Sequence, residues 1–326
     1  MTVHAGIAGI GRWGQVLINS VSHSKAIKFT SACTRRKELV RDYCLDKNIE
    51  LRDSLEDLLT DKQIDAIILA TPHRKHAEQM LLCAKSNKHV FVEKPFTMSF
   101  ESARLTASKL TKAGLVCALG HNRRFLPAMA RLREIVSGGE IGQPLHVEAN
   151  ISAPSGGRHP DGHWRNDPRE SPAGGMTALG VHMTDALISL IGPIAEVRAT
   201  SEQRVLTGPL DDVTFLDLRF ANGVTGYMST VFVTAKIWFI RIIGSEGWVC
   251  MHGYQNITYL NSDDQKETSE HFGEVNTECA ELEAFATAVE GGSPYPISVA
   301  DAIHGSAVLE AIIQSTETGN FVSIPT

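Results

Sequence analysis

With 326 residues, the chain is long for a single hydrophobic core, so two domains are expected, and its 43% hydrophobic and 21% charged content excludes a disordered polymer. A formal net charge of −6 leaves no basic footprint for nucleic acid or an anionic membrane surface, which points to small molecules as partners. The cysteines (Cys33, Cys44, Cys83, Cys117, Cys250, Cys279) are scattered, with no C-x-x-C pair. That pattern reads as buried thiols in a reducing compartment. No basic n-region precedes the first apolar run, and no stretch approaches the ~18 apolar residues that span a bilayer, so a cytoplasmic protein is expected.

The first part of the chain alternates short apolar runs with amphipathic stretches. A strand over residues 3–10 leads into a helix at 13–22, and a strand at 27–33 into a helix at 37–47. A short helix at 54–59 precedes a buried strand at 66–70. Then come a helix at 76–86, a strand at 89–92, a helix at 99–113 and a strand at 116–119. Strict alternation predicts right-handed crossovers and a parallel sheet covered on both faces.

After Gly120 the pattern changes. A helix at 127–136 is stopped by Gly138-Gly139, followed by a strand at 145–151, a Pro/Gly/His loop at 152–173 and one apolar helix at 177–191. Strands follow at 196–201, 214–220, 225–233, 238–243, 248–251 and 257–259, and helices at 278–290 and 300–316 close the chain. Asn222-Gly223 between two alternating runs signals a hairpin. The expected class is α/β, with an N-terminal Rossmann domain over residues 1–121 and a C-terminal α+β domain over 122–326. The second domain's large, mostly antiparallel sheet should be open on one face, because a helix pair covers only the other. Apolar residues fall on both faces (Val231, Phe232, Val233, Ile237, Trp238, Phe239, Ile240), so a homodimer or homotetramer through this sheet is expected.

Gly9-Ile10-Gly11-Arg12-Trp13-Gly14 is a G-x-G-x-x-G directly after a strand and opening a helix. The first glycine makes the tight turn, the second lets backbone approach a pyrophosphate, and the third allows close helix packing; the helix N-terminus favours the anion. Alone the string is weak, but it sits in the βαβ context the motif demands. About 20 residues on, an NAD-binding domain usually carries Asp or Glu for the ribose hydroxyl. Here the place holds Thr34-Arg35-Arg36. A carboxylate would repel a 2′-phosphate, whereas a guanidinium fork matches one. NADP is therefore favoured, with NAD possible; the bland alternative is a solvated arginine pair.

At Glu93-Lys94-Pro95 the sequence resembles the Gfo/Idh/MocA family of glucose–fructose oxidoreductase-like and inositol dehydrogenase-like enzymes. The resemblance is carried by the glycine turn, Ala70-Thr71-Pro72 with His76, the Glu-Lys-Pro triplet and Arg123-Arg124-Phe125. It continues through Trp164-Arg165, Gly174-Gly175 with Gly180-Val181-His182, and Ile243-Gly244-Ser245-Glu246-Gly247. It implies hydride transfer between NAD(P) and a small polyhydroxy substrate: a sugar, polyol, sugar acid or cyclic diol. It also implies that Ile10, Arg12, Trp13, Thr71, Pro72, His76, Glu93, Lys94, Arg124, Trp164 and Arg165 lie along the cofactor. Lys94 would sit beside the reacting oxygen, with a Lys-Pro bond that is often cis, and His182 would act as acid/base. Carbinol oxidation needs such a pair, one group to take the proton and a cation to stabilise the alkoxide.

One departure matters. The family commonly carries D-x-G-x-H here, and Ala178 stands at the Asp position. Asp185, three residues past His182, is the nearest replacement for orienting the imidazole. His73/His76 and His159/His163 have spacings that could ligate a metal, but no cysteine joins them and no metal is expected. The 152–173 loop mixes Arg158, His159, His163, Arg165 and Arg169 with Asp161, Asp167 and Glu170, which suits either substrate contact or a solvated loop. Other readings are a dinucleotide-sensing binding protein, which Ala178 favours faintly, and a redox-assisted glycosidase with a tightly held cofactor.

Overall fold

The computed structural model describes residues 1–160 and 162–325. By its internal contacts the chain divides into two compact units. The first comprises Met1–Asn122 and Asn276–Ile303, the second Arg123–Val275 and His304–Thr326.

The first unit is built on a six-stranded parallel sheet in the order β3-β2-β1-β4-β5-β6. Its strands are β1 (Val3–Ala8), β2 (Ile27–Cys33), β3 (Glu50–Arg52), β4 (Ala66–Leu69), β5 (His89–Glu93) and β6 (Cys117–Gly120). Between them run α1 (Arg12–Ser20), α2 (Arg41–Asp46), α3 (Leu55–Thr60), α4 (His76–Lys85) and α5 (Phe100–Lys112). β4 is buried at every position, as a strand covered on both faces must be. α3 begins with a reciprocal capping box between Ser54 and Asp57. Two expectations shift here. The helix at 37–47 is a 3-10 turn, Lys37–Leu39, followed by α2, and the short edge strand β3 appears where only connection was expected.

The second unit carries a nine-stranded sheet in the order β14-β13-β12-β11-β7-β10-β9-β8-β15. These are β7 (Pro144–Ser152), β8 (Ile194–Glu202), β9 (Val213–Phe220), β10 (Thr225–Val231), β11 (Ile237–Gly244), β12 (Gly247–His252), β13 (Asn256–Asn261), β14 (Thr268–His271) and β15 (Val322–Ser323). All pairings are antiparallel except β7 with β10. β9 and β10 form the hairpin signalled by Asn222-Gly223, with Gly223 at φ 88° and its N–H donating to Phe220.

One face of this sheet packs on helices. α6 (Pro127–Ser137) lies against β12 and β13, and α7 (Val181–Ile191) against β7. The end of α9 (Val299–Thr318) is tied to β8, where the Ala199 N–H donates to Ser315 Oγ at 2.8 Å. On the other face Phe215 stacks with Tyr227, ring centroids 6.2 Å apart. The apolar helix expected at 177–191 starts with a π-helical turn, Met176–Gly180, before α7. A Cβ on Gly180 would meet the far end of the Met176 side chain, which would have to move aside.

α8 (Thr277–Val289) groups with the first unit, not with residues 122–326 as the sequence suggested. It packs on α1 and β2, and Ser24 Oγ donates to Glu283 Oε1 at 2.6 Å. The closing helix is longer than expected and passes from one unit to the other.

Candidate functional site

In the first unit the predicted residues gather where β1, β2, β4 and β5 end. The turn from β1 to α1 holds Gly9, Ile10, Gly11, Arg12 and Trp13. Gly9 has φ 98°, and a side chain there would strike the Ala70 carbonyl. A Cβ on Gly14 would run into the carbonyl of Gly9, whereas one on Gly11 would meet nothing within 4 Å. The turn is thus closed by contact at its first and third glycines and open at its second. α1 starts there with no side-chain cap and no acidic residue in its first turn. Its first N–H groups are left for an anion, and the open space at Gly11 is where a pyrophosphate could come against backbone. The residues present fit a dinucleotide.

Thr34, Arg35 and Arg36 follow the end of β2, with both arginines exposed. Neither forms an ion pair with another described residue. Lys37, next along, is engaged by Asp53, whose carboxyl the Lys37 hydrogen bond holds below its ordinary range. The two guanidiniums therefore keep their donors available for a ligand.

At the end of β4, Thr71 Oγ1 donates to Gln79 Oε1 at 2.5 Å, and Pro72 opens the turn that precedes α4. His76 is fully buried. Its Nδ1 lies 2.8 Å from the Pro95 carbonyl oxygen and its Nε2 3.1 Å from that of Thr71. A neutral imidazole can donate only one of those bonds. Burial nonetheless pushes its pKa below the ordinary value, so the ring is held neutral. Both ring nitrogens face backbone carbonyls and one of them donates, so His76 is a strut between the β4 and β5 ends.

β5 ends at Glu93, and the Lys94–Pro95 bond is cis. Glu93 is buried, and its Oε1 accepts a 2.5 Å hydrogen bond from the indole N–H of Trp13. Gly120 leaves the space in which that carboxylate sits, since a Cβ there would be 3.0 Å from Oε1.

In the second unit, Arg124 and α7 supply the remaining groups. Arg124 Nε and Nη2 donate to Asp185 Oδ2 and Oδ1 at 2.7 and 2.9 Å. Arg124, expected along the cofactor, is thus half of a buried ion pair, and Asp185 gives both oxygens to it. His182 is buried in the first turn of α7, and Ala178 lies in the π turn just before it.

In the 152–173 loop, His159 and His163 stack at 4.2 Å, and His163 Nδ1 accepts from the Arg165 N–H. The Arg165 guanidinium lies over the Trp164 ring at 4.4 Å. Arg169 pairs with Asp167 at 2.7 Å, while Asp161 lies outside the described residues. Among the described residues, no group of three or more His, Cys, Asp or Glu is arranged to hold a metal ion. Likewise, no helix there is long and apolar enough to cross a membrane.

Comparison with known proteins gives two family matches. Residues 3–121 match the oxidoreductase family with an NAD-binding Rossmann fold, and residues 129–250 match the GFO/IDH/MocA C-terminal domain. A scyllo-inositol 2-dehydrogenase (NAD(+)) of Bacillus subtilis is 28% identical, over 92% of this chain and 90% of its own. A D-xylose 1-dehydrogenase (NADP(+)) of Haloferax volcanii is 27% identical over 98% of both chains. Among solved structures, levoglucosan dehydrogenase in complex with NADH and levoglucosan superposes with a TM-score of 0.89 at 19% identity, covering 100% of each chain.

Proposed function

The chain belongs to the Gfo/Idh/MocA family of NAD(P)-dependent oxidoreductases, and from that premise we propose that it transfers a hydride between NADP(H) and a carbinol or carbonyl carbon of a sugar, polyol, sugar acid or cyclic diol. The observation that carries the cofactor choice is the pair Arg35 and Arg36, exposed and without ion-pair partners beyond β2. A 2′-phosphate there would meet two guanidinium forks, and the nearby Asp53 carboxylate is already engaged by Lys37. Named relatives divide on the cofactor, so the arginines decide the reading. The substrate class rests on relatives named for inositol and xylose.

When bound, the nicotinamide supplies or accepts the hydride. Lys94 is assigned the cation that stabilises the oxygen at the reacting carbon, and His182 the group that takes or returns its proton. Asp185 accepts the Arg124 fork with one lone pair of each oxygen, which leaves it acceptor capacity to orient His182 three residues before it. The free cysteines, most of them buried, suit a reducing cytoplasmic compartment; burial pushes the thiols of Cys33, Cys83 and Cys117 up to about 12.

The test is a substrate panel of aldoses, inositols, sugar acids and cyclic diols, run with NADP and with NAD and read by nicotinamide absorbance. Turnover of a polyhydroxy compound, faster with NADP, is expected. No turnover of any member with either cofactor would overturn the substrate class, and preference for NAD the cofactor choice.

A further inference from the structure

Trp13 belongs to two things at once. Its backbone lies in the first turn of α1, where the uncapped N–H groups face the place of the pyrophosphate. Its side chain leaves that turn, and the indole N–H donates to Glu93 Oε1 at 2.5 Å. Indole nitrogen is a donor only, so this bond needs an acceptor at that oxygen. Glu93 is the last residue of β5, 6% exposed, and Lys94 is next in the chain. A buried carboxylate is tolerated only where donors are aimed at it, and a bond to it is stronger than one between neutral groups. The room for it is built in, because Gly120 on the neighbouring strand β6 has no side chain to displace Oε1.

We propose that the Trp13–Glu93 hydrogen bond is the contact through which a bound dinucleotide fixes the Glu93-Lys94-Pro95 turn, so that Trp13 is a positioning residue for Lys94. A ligand that settles the first turn of α1 settles the Trp13 side chain with it. The indole then holds the Glu93 carboxylate, and the backbone next to that carboxylate sets where Lys94 starts. The other end of the same turn is held independently by His76 at the Pro95 carbonyl. The segment is therefore gripped on both sides of the lysine, and the Trp13 grip leads directly into the first turn of α1. This rests on the dinucleotide reading but not on the identity of the substrate.

The experiment is backbone hydrogen exchange of the full chain, with and without saturating NADP+, for the parent, Trp13→Phe, Glu93→Ala and the double variant. In the parent, NADP+ should protect the amides of residues 9–14 and also those of Glu93, Lys94, Phe96 and Thr97. In Trp13→Phe the first segment should still gain protection. The second should lose roughly tenfold or more of its gain, the size of a hydrogen bond to a charged group. Glu93→Ala should behave the same way, and the double variant should be no worse than the worse single. Equal protection of 93–97 in the parent and Trp13→Phe would overturn the proposal, as would losses that add in the double variant. Protection at 9–14 with none at 93–97 in the parent would overturn it while leaving the dinucleotide reading intact. Absence of protection at both would overturn the two together.

Discussion

Arg124 holds Asp185 in a forked ion pair, and the two side chains are only 6% and 7% exposed. The fork joins the turn before α6 to the middle of α7, the helix that carries His182. Removing one partner strands a charge in the interior, which typically costs about 3–5 kcal/mol. Arg124→Ala and Asp185→Asn should each lower the unfolding free energy in urea by about that much. Replacing both together, as Arg124→Met with Asp185→Leu, should recover most of the loss, because the stranded charge goes too. Single variants as stable as the parent would show that the pair contributes nothing to the fold.

Cofactor choice is tested where β2 ends. Hydrogen bonds to a charged group are worth about 1.5–3 kcal/mol, so Arg35→Ala with Arg36→Ala should weaken NADP(H) binding tenfold or more. NAD(H) binding should change little, because the glycine turn is untouched. Titration by fluorescence, at fixed ionic strength, reads both. Equal weakening for the two cofactors would place the arginines outside the 2′-phosphate contact.

The local parts of this architecture were legible in the sequence and the long-range parts were not. β2 was placed residue for residue at Ile27–Cys33, because an apolar run between two amphipathic helices leaves little choice. β3, β14 and β15 escaped notice; they are short or polar edge strands, paired on one side only, with no pattern to announce them. The glycine turn and Lys94 were readable because each motif is contiguous. Trp13–Glu93 and Arg124–Asp185 join residues 80 and 61 positions apart, and no spacing rule links them. Asp185 was expected to replace the carboxylate missing at Ala178. Helical spacing justified that expectation, but it carried no information about the arginine on another element.

Acid should destabilise the first unit through two histidines. Burial depresses the pKa of His76 and of His89 below the ordinary 6.5. An unfolded chain then binds more protons than the folded one once the pH drops below that value, so stability falls with pH through the folded pKa values. The contribution is fully present above pH 6.5 and is lost progressively below it. Urea midpoints should be lower at pH 5.5 than at about pH 7.5, and His76→Gln should flatten the difference. An unchanged slope in that variant would remove His76 as a source.

The helix-free face of the second unit's sheet predicts self-association. Alternation along β9, β10 and β11 leaves Phe215, Tyr227, Ile237 and Phe239 on it, with Phe215 and Ile237 45% and 41% exposed. Apolar surface of this kind is characteristic of a site that a second copy covers. Light scattering at micromolar concentration should give a dimer or tetramer, and Phe215→Glu with Ile237→Lys should shift it toward monomer. A monomeric parent would end this reading.

The last prediction concerns the reaction. Lys94 follows β5 on a cis peptide, with the strut of His76 on one side and the buried Glu93 on the other. His182 is buried at the start of α7, behind the π turn that carries Ala178. If these two groups handle the proton and the charge of carbinol oxidation, losing either should slow turnover by about 10²–10⁴-fold. Lys94→Ala and His182→Ala should both do so on whichever polyhydroxy compound the panel identifies, while NADP affinity changes little. The pH dependence separates their roles. His182→Ala should abolish the limb of the rate profile that belongs to the acid/base, whereas Lys94→Ala should lower the profile across its width, because a stabilising cation is lost without loss of the proton acceptor. Ala178→Asp is the complementary change: a carboxylate near His182 should raise the imidazole's basicity and move that same limb to higher pH. Parent-like turnover in His182→Ala would take the histidine out of the mechanism and leave Lys94 working with solvent.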